Sequence, residues 1–475
     1  MMPSLPIRAQ SVIFVISIAL GATCFFDIPY IYICSGLIGI FFLFIVCKDP
    51  ALILYGLLIF VPLAKFKSYG TIESHTNVFE IAGGILLLGS IAYIFYHGLI
   101  TKKITTYHPA ILALSFVAIW GLLIAIPEMI DGRTDPNFWF REFLIFWSIV
   151  AVPLLYREAS KRSENFEHNL FVALLVAWLL TIALSFIKIR STITEATYLF
   201  ETGTSRVGAI GMISMFVIML SLFSSGEIHA NRKWLIAGLI LTCFGLILTF
   251  ERAIWVSLVF FIPILITWFP RKQRDKSVFA LLLLLGIFTF LGILLYATTP
   301  LFATVLKWTI SKFTSSSQVG TDISLVNRYI EWRSVLNQIG NAPITGLGFG
   351  GMYKLYGWIV GVTSLSGYTH NTYLGWMLKF GIIGFVFLSF SYLSIIFLGV
   401  RLSYSSVLKL QEKLMLRSGV IILLLCMVRF IVENGFAERS DMLYIGLIWG
   451  FIIVKYEQAR SVETRTINPA PSRPK

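Results

Sequence analysis

The sequence predicts an all-α protein, a polytopic transmembrane bundle of about 12–14 helices with one large, partly helical outward loop. Three observations predict it. First, 57% of the 475 residues are apolar and only 13% are charged, about half the charged fraction of an average soluble protein. Second, apolar runs long enough to cross hydrocarbon recur along the chain. Third, positive charge collects on one side of those runs. A soluble core cannot absorb so much apolar surface beneath a polar exterior. A soluble enzyme, a secreted disulfide module and a disordered chain are therefore excluded.

The apolar runs lie at 11–26, 30–47, 50–64, 78–96, 109–126, 139–156, 169–188, 207–225, 234–250, 253–269, 277–297, 372–400, 415–432 and 442–454. The short runs within 11–64 set the lower end of the helix count. The first run follows Arg8 in the manner of a signal peptide. It lacks a small-residue cleavage site and further spans follow at once, so it reads as an uncleaved helix. With the N-terminus inside, nearly all of the net charge of +14 falls on cytoplasmic segments. These include Lys102-Lys103, Arg157 with Lys161 and Arg162, the run Arg271 to Lys276, and Arg401 to Arg417. This is the positive-inside asymmetry that orients membrane proteins. It puts both termini in the cytoplasm and leaves nucleic-acid binding without support. Cys24, Cys34, Cys47, Cys243 and Cys426 lie within or at the ends of apolar runs, with no metal or redox spacing, and read as small packing residues.

Residues 1–455 form a single membrane domain in this reading, with 298–369 as an outward loop inserted in it and 456–475 as a mobile, polar cytoplasmic tail. Loops as long as 298–369 are usually functional or disordered. This one has the composition of ordered structure, with Trp308, Trp332, Trp358 and several tyrosines. The period of 322–340 predicts a helix whose apolar stripe is Leu325, Tyr329, Trp332, Leu336 and Ile339. Asp322 is placed to cap it, Gly340 to stop it, and Pro343 follows. Arg328 falls off that stripe, beside Ser324 and Glu331. Gly346-Leu347-Gly348-Phe349-Gly350-Gly351 then reads as a flexible turn. The loop ends at Tyr368-Thr369-His370-Asn371-Thr372-Tyr373-Leu374, where the next long helix begins.

Several charged or titratable residues gather at the outer boundary. His370 stands at a helix N-terminus, where the dipole favours neutral imidazole and hence a general base; the alternative is a residue that merely caps the helix with Asn371. Arg252, in Leu248-Thr249-Phe250-Glu251-Arg252-Ala253, joins two apolar runs with almost no loop. An ionisable residue there is expensive and suggests function, unless it only snorkels or pairs with Glu251. Arg328 offers a planar phosphate donor or a solvated helix face. Arg206, in Gly203-Thr204-Ser205-Arg206-Val207-Gly208, either serves a site or anchors the interface. Arg429 and Glu433 are four apart on one helix face and read as an ion pair. Asp27, Glu80, Arg141 and Glu142 are further boundary charges.

The sequence has no Walker loop, no HExxH and no nucleotide-binding fingerprint. No cofactor and no metal are expected, so the driving energy must reside in the substrate. An outward, Arg-rich site with one His suits a lipid-linked diphosphate, whose departing pyrophosphate the arginines would neutralise.

Taken together, Arg252 in its tight outer turn, Arg328 and Trp332 on the loop helix, Gly346-Leu347-Gly348-Phe349-Gly350, and His370-Asn371-Thr372-Tyr373-Leu374 followed by Gly381-Ile382-Ile383-Gly384 resemble the O-antigen ligase and polymerase superfamily. These are bacterial inner-membrane glycosyltransferases of the GT-C type. The resemblance is best over about 200–400. It implies a glycan donor on undecaprenyl diphosphate, presented at the periplasmic leaflet, and in the ligases a terminal sugar hydroxyl of lipid A-core as acceptor, without metal or nucleotide. The outward loop would then be periplasmic. By the same resemblance Arg252 and Arg328 would hold the diphosphate, Arg206 joining them, and His370 would serve the acceptor hydroxyl. Glu251 stands directly before Arg252 where the resemblance leads one to expect a small residue such as Ser.

A polymerase would differ in using a second lipid-linked glycan as acceptor. The Arg-x15-Gly repeats associated with polymerases do not fall here: Arg328 is 18 residues before Gly346, and Arg333 is 17 before Gly350. That favours ligase. A transporter or flippase would place its charges and broken helices near the midplane, often in two repeated halves; here the charges gather at one boundary and no halves are evident. A scaffold would tolerate single changes at all of these residues.

Overall fold

The computed structural model describes residues 49–64, 83–91, 93–94, 108–131, 134, 136–194, 209–225, 232–248, 260, 264, 267–298, 323–357, 362–433 and 439–467. The expected sites at Arg206 and Arg252, the first two predicted spans, Asp27, Glu80 and the cap at Asp322 lie outside the described residues.

Helices dominate what is described. In chain order they are α1 (Pro50–Ala64), α2 (Pro109–Ile130), α3 (Pro136–Arg162), α4 (Phe166–Thr194), α5 (Ala209–Ser225), α6 (Arg232–Leu248), α7 (Arg271–Thr298) and α8 (Ile323–Ile339). A short antiparallel hairpin follows, β1 (Tyr353–Gly357) paired with β2 (Val362–Ser366), with Tyr353 opposite Ser366. Then come α9 (Thr372–Leu402), α10 (Leu410–Arg429) and α11 (Arg439–Ile467). The protein is a polytopic all-α bundle, as the composition predicts. The hairpin was not legible in the sequence, because each strand has only five residues.

Pro109–Ile130, Phe138–Arg162, Phe166–Ala183 and Thr372–Leu402 are long and apolar enough to cross a membrane, and shorter apolar helices accompany them. Leu112, Ile119, Leu123, Val386 and Phe397 remain exposed along these helices. Such side chains are costly in water and suit hydrocarbon. The basic run Arg271 to Lys276, expected between spans, forms the first turns of α7.

One core joins α1–α7, α9, α10 and α11, and its most extensive helix contact is α3 against α11. Sequence dictates that closeness. Gly446 and Gly450 are four apart, the small-xxx-small spacing that lets membrane helices approach. A Cβ at Gly450 would lie 2.6 Å from the Tyr156 Cβ and 3.2 Å from the Pro153 Cα; at Gly446 it would lie 2.9 Å from the Val152 Cβ. Gly450→Val should therefore separate the two helices at a cost of about 1–3 kcal/mol. A lowered melting temperature in detergent checks this, with Ser expected to cost less than Val.

α11 continues to Ile467, well into the stretch that composition marks as a mobile tail. Lys455 is the reason: it is buried, with Glu167 at 2.8 Å and Glu412 at 2.9 Å. Arg157 adds a pair with Glu457 at 2.7 Å. These contacts tie the helix to α4, α10 and α3.

Candidate active site

The loop between α8 and β1 inserts into a broken helix. At Gly381, φ is 62° and ψ is −167° inside α9, so the helical ladder is interrupted there. A side chain at that φ is strained, and a Cβ would also meet the carbonyl of Ile344. The break frees backbone groups roughly 13 Å along the helix from Thr372, where in a membrane each must find a protein partner. It does. The N–H groups of Leu347 and Gly348 donate to the carbonyls of Leu378 (2.9 Å) and Lys379 (2.7 Å), while Ile382 N–H donates to Pro343 O at 2.9 Å and Ile383 N–H to Ile344 O at 3.4 Å. Phe349 N–H donates to Gly121 O of α2 at 3.1 Å, and its ring stacks edge-on among Phe143, Phe146 and Phe380.

The glycine run is thus fixed rather than flexible. Its alternating glycines carry positive φ, and Gly348 (φ 75°) lies so near α2 that a Cβ would stand 2.5 Å from Ala125 N. Two charges lock the insertion. Lys379 of α9 donates to both oxygens of Glu142 of α3 at 2.9 Å and to Gly351 O at 2.6 Å; Glu142 Oε2 also accepts from Gly350 N–H at 2.6 Å. Lys379 is buried, with the Phe138 ring 5.5 Å from its ammonium. In the sequence Glu142 stands out only as a further boundary charge.

α8 lies over this insertion. Val335 and Ile339 pack on Tyr353 of β1 and Leu378 of α9. The predicted stripe is only partly the buried one: Ile339 is inside, but Tyr329 is 66% and Leu336 54% exposed. The helix is rolled so that Glu331 is buried, at 5% exposure, and Arg328 turns inward. Polar contacts outweigh the apolar period here, because Glu331 and Arg328 find partners only on that face.

Those partners are the start of α9 and the end of α10. Glu331 Oε1 accepts from the backbone N–H of His370, and Glu331 Oε2 lies 2.6 Å from His370 Nδ1. A carboxylate accepts and does not donate, so Nδ1 carries the hydrogen, and in the neutral imidazole Nε2 is then the acceptor. The His370 side chain keeps 32% exposure, and its Nε2 has no hydrogen bond among the described residues. The Tyr368 ring stands edge-on at 5.0 Å. Capping falls to Asn371 instead: its Oδ1 accepts from Leu374 N–H at 3.0 Å and its Nδ2 donates to Ile431 O at 2.9 Å.

Arg328 donates to Val432 O at 2.6 Å and to Glu433 Oε1 at 3.3 Å. Glu433 also offers its carbonyl to the Thr372 hydroxyl at 2.7 Å. Arg429, four residues before Glu433, pairs with Asp441 of α11, both buried. Arg328 with Glu433 and Glu331 with His370 are thus two pairs, about one helical turn apart on α8, where α8 meets the start of α9 and the end of α10. Burial first, and then the Glu331 charge, push the Tyr353 phenol above its ordinary value. Tyr353 therefore stays protonated and donates to Tyr368 O at 2.7 Å, steadying the strand that leads to His370.

Glu331 and Glu433 are the members of these pairs that sequence reasoning did not assign to the site. A carboxylate three residues after Arg328 on the same helix was the available signal.

Residues 237–389 match the O-antigen ligase family, Wzy_C. The matched segment takes in α7, α8, the glycine insertion, the hairpin and the His370 end of α9. It bears out the resemblance read from the motifs over that segment and supports a function of the O-antigen ligase or polymerase type. No curated protein matches the chain.

Proposed function

We propose, from an O-antigen ligase segment that contains both His370 and Arg328, that this protein is a metal-independent glycosyltransferase. It takes a glycan from undecaprenyl diphosphate at the periplasmic face of the bacterial inner membrane and passes it to a sugar hydroxyl of lipid A-core. The observation that supports this best is the His370 imidazole, partly exposed at the mouth of a membrane-spanning helix, with Nδ1 engaged and Nε2 available.

The acceptor hydroxyl oxygen attacks the anomeric carbon of the donor sugar, and His370 Nε2 takes the hydroxyl proton. The bond from the anomeric carbon to the diphosphate oxygen breaks, and undecaprenyl diphosphate leaves with that electron pair. Arg328, Arg252 and Arg206 bind the diphosphate and stabilise its growing charge. Two of the Arg328 donors face Val432 and Glu433, which fixes the guanidinium plane and leaves the others for an oxyanion.

Reconstitution in proteoliposomes with an undecaprenyl-diphosphate-linked oligosaccharide and lipid A-core tests the reading. Glycosylated lipid A-core is expected, at an unchanged rate in EDTA. A lengthened lipid-linked glycan would instead assign a polymerase, and glycolipid movement without any new glycosidic bond would assign a transporter.

A further inference from the structure

We infer that Glu331 is a positioning residue for the transfer: it fixes the tautomer and the direction of His370 and thereby makes Nε2 a base. This rests on the reading of His370 given above and extends it to a residue on a different element.

Three features carry the inference. Glu331 is a buried carboxylate, 5% exposed, and both of its oxygens are directed at one residue. One accepts from the His370 backbone N–H and the other faces ring Nδ1 at 2.6 Å. A carboxylate used only to fasten α8 to α9 needs no contact with the ring. Gripping the ring and its own backbone together removes the main-chain and side-chain freedom by which an imidazole at a loop end would swing. Finally, with Asn371 capping α9, the ring is released from any structural duty at the helix start. A ring so held, with one nitrogen committed to a buried carboxylate and the other open, is arranged for proton transfer.

The substitution Glu331→Gln separates this role from a packing role. It is isosteric, but its amide has a single acceptor oxygen for two N–H groups, and the NH2 placed against Nδ1 favours the tautomer with hydrogen on Nε2. In the reconstituted full-length protein we expect E331Q to lower kcat on the order of 100-fold, within the range a general base contributes, with donor KM nearly unchanged. Glu331→Asp, which keeps the charge and both acceptors, should recover a substantial part of kcat. In a His370→Ala background, E331Q should cost nothing further, because the residue through which it acts is gone.

An E331Q variant with full kcat, or a further loss of the same size in the His370→Ala background, would overturn the inference. Full activity of His370→Ala alone would overturn the earlier reading of His370 instead, so the two failures are told apart. A fall in both variants' melting temperatures, with kcat unchanged in the folded fraction, would reduce Glu331 to a fastener and also count against the proposal.

Discussion

Replacing His370 with Ala should abolish glycan transfer while leaving membrane insertion intact, at a stability cost of about 1–3 kcal/mol because the buried Glu331 Oε2 loses its partner. Among the described residues the imidazole Nε2 has no hydrogen-bond partner, and the ring has one side-chain hydrogen-bond partner, Glu331. Its helix is capped by Asn371 and stitched to α10 through Thr372 and Asn371, none of which the substitution touches. Loss of a general base costs roughly 100- to 10,000-fold in rate. A radiolabelled-glycan assay on reconstituted protein, normalised to folded protein by its melting curve, measures it. A variant that still transfers at half the wild-type rate removes His370 from the chemistry.

The second large effect is on stability. Lys379→Ala should lower it by about 3–5 kcal/mol, because removing one partner of a buried ion pair leaves the other charge uncompensated. Here the stranded group is Glu142, and the Gly351 carbonyl loses its donor as well. The consequence reaches beyond α9. Glu142 also holds Gly350, so loosening it frees the glycine insertion on which α8 rests. Activity should fall with stability, although Lys379 does not belong to the His370 pair. The double variant Lys379→Met with Glu142→Leu removes both charges, and replacing both partners with apolar groups is far less costly than removing one. It should therefore recover much of the melting temperature. If it is no more stable than Lys379→Ala, the ion pair is not what holds the insertion.

The candidate site was partly legible in advance. His370 stands out because it directly precedes a long apolar run, and Arg328 because it lies on a periodic helix within an otherwise span-free stretch. The pairing of Glu331 with His370 was not legible, since it joins residues 39 apart across two elements. The roll of α8 was misread for a related reason. Periodicity reports where apolar side chains recur, not which face a neighbouring helix will offer hydrogen-bond partners to, and Tyr329 and Leu336 stayed outside while Glu331 went in. The glycine run was misread as loose because a sequence shows the freedom of each glycine but not the backbone that lies against it. Lys379 and Glu142 likewise appear as isolated charges until the fold places them 2.9 Å apart.

What the sequence determined alone is the class of the molecule. Apolar composition, span-length runs and one-sided basic charge are sums over many residues, so they survive ignorance of any contact, and they demand a membrane-embedded helical bundle. The tertiary structure alone decided which polar groups meet. In a nonpolar surrounding each interrupted backbone bond and each buried charge must find its own partner, and that requirement is met by residues far apart in the chain, Ile383 with Ile344 and His370 with Glu331.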